Sequence, residues 1–174
     1  MPPTTDLESI GGAVSGALFD VGFPGQLATQ FGACDTESRV NENATALDEG
    51  DVACRGVAVS PGTIGNCKPM VSGGVVIGIT VRERSRQAAD VAGTFNFPQY
   101  STVRLLKIGW IWATAAEAVT EGDACIGVVA TKGAVGGATG GAVNGTTRLA
   151  FPAGWQWEQT VASAAVGLIH AVSV

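Results

Sequence analysis

Hydrolysis near neutral pH usually requires a base that titrates close to pH 7, and histidine is the common choice. The chain has one, His170, in the apolar run Val166-Gly167-Leu168-Ile169-His170-Ala171-Val172. A lone imidazole there reads as a core or edge residue of a strand. A small hydrolase would need it beside a carboxylate and a hydroxyl. The carboxylates cluster in turns instead: Asp48, Glu49 and Asp51 straddle Gly50, and Glu121 and Asp123 straddle Gly122. Short acidic side chains in such turns satisfy backbone donors. Catalysis is not expected.

Metal and cofactor chemistry find equally little to work with. Cys34, Cys54, Cys67 and Cys125 include no Cys-x-x-Cys pair and no histidine at a zinc spacing. They read as small buried hydrophobes, although Cys54 and Cys67 flank a turn-rich segment and a disulfide between them is conceivable. The run Gly136-Gly137-Ala138-Thr139-Gly140-Gly141 has the glycine content of a phosphate cradle but lacks the following Gly-Lys-Ser/Thr. The segment Lys132 to Gly145 is expected to be a flexible hairpin tip. With a formal net charge of -5 and a basic cluster limited to Arg82, Arg84 and Arg86, interrupted by Glu83, a nucleic-acid partner is not expected.

The composition points toward assembly. Charged residues make up 14% of the 174 positions, against about 25% in ordinary globular chains, while apolar residues reach 46%. So bland a surface disperses poorly alone, which predicts that a partner covers part of it. The start of the chain has no basic region of the secretory kind, and no apolar run approaches the ~20 residues of a membrane helix. A soluble product made in the cytoplasm, without a membrane partner, is expected.

Short Val- and Ile-rich segments separated by Gly, Pro, Asn and Ser predict an all-β domain, a barrel or a sandwich of jelly-roll-like type. Expected strands are Val52 to Val59, Lys68 to Val71, Gly74 to Arg84, Val103 to Ala113, Asp123 to Thr131, Thr147 to Phe151 and Ala165 to Val174. Residues 1–30 read as an extended N-terminal arm, and 31–174 as a single β domain. Three glycines between Leu7 and Phe19 each cost a helix about 1 kcal/mol relative to alanine. An apolar arm that cannot fold by itself lies either on its own sheet or across a neighbour. Trp110 and Trp112 alternate onto one strand face, as do Trp155 and Trp157; each pair is a core anchor or an interface hot spot.

Between two expected strands, residues 83–102 form a connection long for a compact domain. Its aromatics Phe95, Phe97 and Tyr100 argue against plain disorder. It reads as a recognition loop, or as a cover for its own core.

The order of these segments resembles the structural cement (decoration) proteins of tailed-phage capsids. The Pro24-Gly25-Gln26 opening is followed by the Asp51-Val52-Ala53-Cys54-Arg55-Gly56-Val57 strand and by Gly78-Ile79-Thr80-Val81-Arg82. Then come Gly109-Trp110-Ile111-Trp112, Val119-Thr120-Glu121-Gly122-Asp123 and the closing apolar strand. Each motif is short; their order over residues 23–174 carries the resemblance. The connection from Glu83 to Tyr100 is longer than the family pattern, and four cysteines are more than the family leads one to expect.

The resemblance implies a decoration-protein-like β fold on the outer capsid surface of the virion. There it would bind the major capsid protein, associate with itself as a homodimer or homotrimer on a symmetry axis, and use no cofactor. Leu7, Ile10, Leu18, Phe19 and Phe23 of the arm, with Arg84, Arg86, Phe95, Phe97 and Tyr100 of the loop, are the expected capsid or subunit interface. The alternative is a receptor- or carbohydrate-binding accessory module of a virion, with Trp155 and Trp157 as an exposed sugar platform.

Overall fold

Strand-forming residues punctuated by glycine turns fold into twelve short strands, and no α-helix occurs among the described residues. The computed structural model describes residues 22–57, 65–83, 96–131 and 133–172. The strands are β1 (Asp35–Val40), β2 (Leu47–Asp48), β3 (Val52–Arg55), β4 (Cys67–Pro69), β5 (Val76–Ile79), β6 (Asn96–Phe97) and β7 (Thr102–Thr114). After them come β8 (Cys125–Val128), β9 (Val135–Gly137), β10 (Arg148–Ala150), β11 (Trp155–Trp157) and β12 (Val166–Ala171).

The thirteen-residue β7 is the spine of the fold. Its first half pairs antiparallel with β1, and its second half with β12, which in turn carries β11. Gly109, with φ +117°, stands where one partner strand ends and the other begins. A Cβ there would press on Cys34, so the kink admits only glycine. The remaining strands form two three-stranded sheets, β10-β8-β9 and β4-β3-β5, and the pair β2-β6. None of these sheets closes into a barrel, so the barrel expectation is not met; the strands stay in separate small sheets.

Period-two alternation gives the β7-β12-β11 sheet two apolar faces. Ile111, Ala113, Ile169, Ala171, Trp155 and Trp157 point to the principal core, where they meet Val52, Ile79, Cys125, Val135 and Leu149 of the smaller sheets. Trp112 and Leu168 point the other way and pack with Ala28, flanked by Phe31, Trp110 and Val166. A second buried cluster joins Leu47, Ala53, Cys67, Ile77, Phe97, Val103 and Leu105.

Several strands differ from expectation. β3 and β5 are shorter than predicted, and β1, β2, β6, β9 and β11 lie outside the predicted set. β1 reads Asp-Thr-Glu-Ser-Arg-Val and is partly exposed on both faces, so it has no apolar alternation to detect. All four cysteines are free thiols. Cys54 and Cys67 do sit on adjacent strands, but Cys54 faces the principal core and Cys67 the second cluster. Burial pushes the Cys67 thiol up to about 12.

The largest correction concerns the glycine-rich segment. Within the Lys132 to Gly145 segment expected to be a flexible tip, Val135–Gly137 is a buried strand paired with β8, while residues 142–145 are exposed and belong to no strand. Its carbonyls are held by side chains, with Trp157 Nε1 donating to Gly136 O at 3.0 Å and Arg148 Nη2 to Gly137 O at 2.8 Å. Arg148 Nε reaches Gly141 O at 3.0 Å. Glycine is needed because the segment runs against the Glu117 carboxylate; a Cβ on Gly136 would come within 2.5 Å of its Oε1.

Candidate partner-binding surface

The arm's root is fixed by backbone pairing that its sequence makes possible. Phe23-Pro24-Gly25-Gln26 closes a turn, with Gln26 N–H donating to Phe23 O at 2.9 Å and Phe23 N–H to Gln26 Oε1 at 3.1 Å. Gly25 takes φ +77°, and its N–H donates to Trp112 O at 2.8 Å while its carbonyl accepts from Arg82 N–H at 2.7 Å. Ala28 N–H continues the ladder to Trp110 O at 2.9 Å. Residues 25–28 therefore lie on this subunit's own β7, along the edge opposite β12.

Phe23 is the exposed end of that root. Its ring is 55% accessible and lies under the Arg82 guanidinium, 4.6 Å from the ring centroid. Arg82 in turn sits 3.1 Å from the Glu49 carboxylate. The result is an aromatic ring held in place but left open to solvent.

Tyr100 is a second such residue, 76% accessible and at φ +66°. A side chain bearing a Cβ is strained in the left-handed region. Surrounding bonds impose the conformation: Tyr100 N–H donates to Asn41 O at 2.7 Å, Ser101 N–H to Pro98 O at 3.1 Å, and Gln99 Nε2 to Glu42 O at 3.0 Å. The fully buried Asn41 fastens the turn further, donating from Nδ2 to Phe97 O and Thr45 O.

The other expected interface residues are placed differently. Phe97 is 3% exposed and packs with Leu47 and Leu105, so its ring serves the subunit's own core. Leu7, Ile10, Leu18, Phe19, Arg84, Arg86 and Phe95 lie outside the described residues. Val57 and Val75, just outside β3 and β5, are exposed apolar residues that sequence reasoning missed. Nothing in the strand pattern distinguished them from core valines.

The alternative chemistries fare poorly. Trp155 and Trp157 are 4% and 0% exposed, so neither offers a ring face to a sugar, and the platform reading is overturned by their burial. His170 stacks flat on Trp110 at 4.2 Å, with Nδ1 3.3 Å from Glu158. A carboxylate is thus beside it. Among the described residues no His, Cys, Asp and Glu cluster has the geometry of a metal site.

The sequence pattern of the structural cement proteins (E217 gp24/Pam3 gp6) matches residues 13–172. The chain belongs to this family. Among solved structures, its fold is similar to a chain of "The capsid of Myoviridae Phage XM1", with a TM-score of 0.63 and 14% identity over 95% of this chain and 96% of that one. No curated protein sequence matches it. At that identity the likeness speaks for the fold alone, and the cement family assignment rests on the sequence match.

Proposed function

We propose that this protein is a capsid cement protein that binds the outer surface of the mature phage head and bridges neighbouring major capsid proteins. In that position it stabilises the shell against internal genome pressure. The observation that carries the reading is the family match over residues 13–172. The low surface charge and the exposed, immobilised Phe23 and Tyr100 support it.

The physics is linkage. A protein that binds only the expanded shell stabilises it by about 4 kcal/mol per site when present at roughly a thousand times its Kd. Self-association on a capsid symmetry axis, as a dimer or trimer, multiplies the effect through avidity. The segments assigned to gripping are the arm, with Leu7, Ile10, Leu18, Phe19 and Phe23, and the loop with Arg84, Arg86, Phe95 and Tyr100. The chain would be made in the host cytoplasm and end on the virion surface, with neither nucleic acid nor membrane as a partner.

The test is to mix purified protein with expanded and unexpanded shells and measure co-sedimentation. Binding to the expanded form alone is expected; equal binding to both, or none, overturns the reading.

A further inference from the structure

Asn144-Gly145 is the one Asn-Gly pair in the chain, and it lies in an exposed turn, residues 142–147, that leads into β10. An Asn-Gly pair in water is prone to lose its side-chain amide, because glycine has no Cβ to keep its nitrogen away from the neighbouring carboxamide. The reaction is internal. The Gly145 nitrogen gives its proton to solvent base and bonds to Asn144 Cγ, the Cγ–Nδ2 bond breaks, and ammonia leaves with a proton returned by water. Water then opens the five-membered imide to aspartate, or to isoaspartate with one more carbon in the main chain.

The turn engages every group that this reaction uses. Asn144 Oδ1 accepts from the N–H groups of Thr146 at 2.9 Å, Thr147 at 2.9 Å and Arg148 at 3.0 Å. Three donors can be met only by the oxygen, which settles the orientation of the amide. Nδ2, the leaving nitrogen, donates to Thr147 Oγ1 at 2.8 Å. The attacking Gly145 N–H donates to Arg148 O at 3.1 Å, and Gly145 O accepts from Gly73 N–H at 3.0 Å. Ring closure must break the Gly145 bond and turn the carboxamide out of its four bonds. Its rate therefore follows the population of a locally opened turn.

The pair also stands beside the residue that fixes the glycine-rich segment. Arg148, whose N–H and carbonyl close the turn, holds Gly137 O and Gly141 O with its guanidinium. An added main-chain carbon at position 144 would displace the first residue of β10 and with it that guanidinium.

We infer that the 144–148 turn is a chemical lock, which keeps an exposed and labile Asn-Gly pair from deamidating for as long as the domain stays folded. The inference does not depend on the cement role.

The test incubates the full chain in warm, mildly alkaline buffer, folded or unfolded in guanidinium chloride. Mass spectrometry of the peptide carrying residue 144 follows the conversion of carboxamide to carboxylate. A synthetic peptide of residues 141–149 sets the unprotected rate. The folded chain is expected to react about 10- to 100-fold more slowly than the peptide and the unfolded chain, the scale for opening several hydrogen bonds. Thr147→Val removes the acceptor of the leaving nitrogen at an exposed position, and this variant, folded by circular dichroism, is expected to react about 3- to 10-fold faster than wild type. The three N–H groups on Oδ1, if they acted as an oxyanion hole, would speed the attack instead. A folded chain that deamidates as fast as the peptide, or faster, overturns the inference, and so does a folded Thr147→Val variant no more labile than wild type.

Discussion

Arg148 and Glu117, 31 residues apart, form a two-pronged ion pair, with Nη1 to Oε2 at 3.0 Å and Nη2 to Oε1 at 2.6 Å. The pair clamps the glycine-rich segment, because the same guanidinium also holds the carbonyls of Gly137 and Gly141 while Gly137 N–H donates to Glu117 Oε1. A stretch with little conformational preference of its own is thereby fixed by two hydrogen bonds from Arg148 and one to Glu117.

Arg148→Met is expected to destabilise the domain by about 2–3 kcal/mol, the scale for charge-assisted bonds whose partners stay partly buried. Urea unfolding checks this. Arg148→Lys, which cannot reproduce the fork, should recover only part of the loss.

The same pair sets an acid limb. The Arg148 guanidinium holds the Glu117 carboxyl below its ordinary range, with Gly137 N–H adding to the effect. A depressed folded value means that the contribution is complete above the unfolded value of about 4.3 and disappears as pH falls through the lower, folded one. Urea midpoints measured from about pH 6 down to about pH 3 should therefore fall more steeply for wild type than for Glu117→Gln.

Trp157 is fully buried and its Nε1 donates to Gly136 O. Trp157→Phe removes that hydrogen bond and opens a void beside Gly167, for an expected loss of about 2–4 kcal/mol. Glycans added to the intact protein should leave the emission of Trp155 and Trp157 unchanged, since their rings are covered.

Tyr100 is held at φ +66° by its N–H bond to Asn41 O, while the residue stands 76% exposed. Tyr100→Gly removes the left-handed penalty, so its stability should stay within about 1 kcal/mol of wild type. Under the cement reading, shell occupancy should nevertheless fall about tenfold, as for a lost aromatic anchor. Unchanged occupancy would remove Tyr100 from the interface.

Deleting residues 1–21 should leave a folded β domain, because the root contacts of Gly25 and Ala28 with β7 remain. Circular dichroism checks the fold. The proposed role of the arm predicts that the truncated protein no longer binds shells, and undiminished decoration would exclude it.

The amino-acid sequence by itself determined the all-β class and the family. Glycine-punctuated runs of β-branched residues have one regular solution. It also marked the Trp110–Trp112 and Trp155–Trp157 alternations, since period two is a local property of a strand. Only tertiary structure decided which tryptophan pair enters the principal core, because both faces of the β7-β12-β11 sheet are covered and local alternation cannot rank them. It likewise placed Val135–Gly137, inside the segment read as a flexible tip, in a buried strand. Glycine has no side chain to declare its surroundings, and the partners that fix it, Glu117, Arg148 and Trp157, are distant in the chain. Phe97 and Tyr100 looked alike as loop aromatics; one fills the core and the other stands in solvent, a distinction made by the buried Asn41 that fastens their turn.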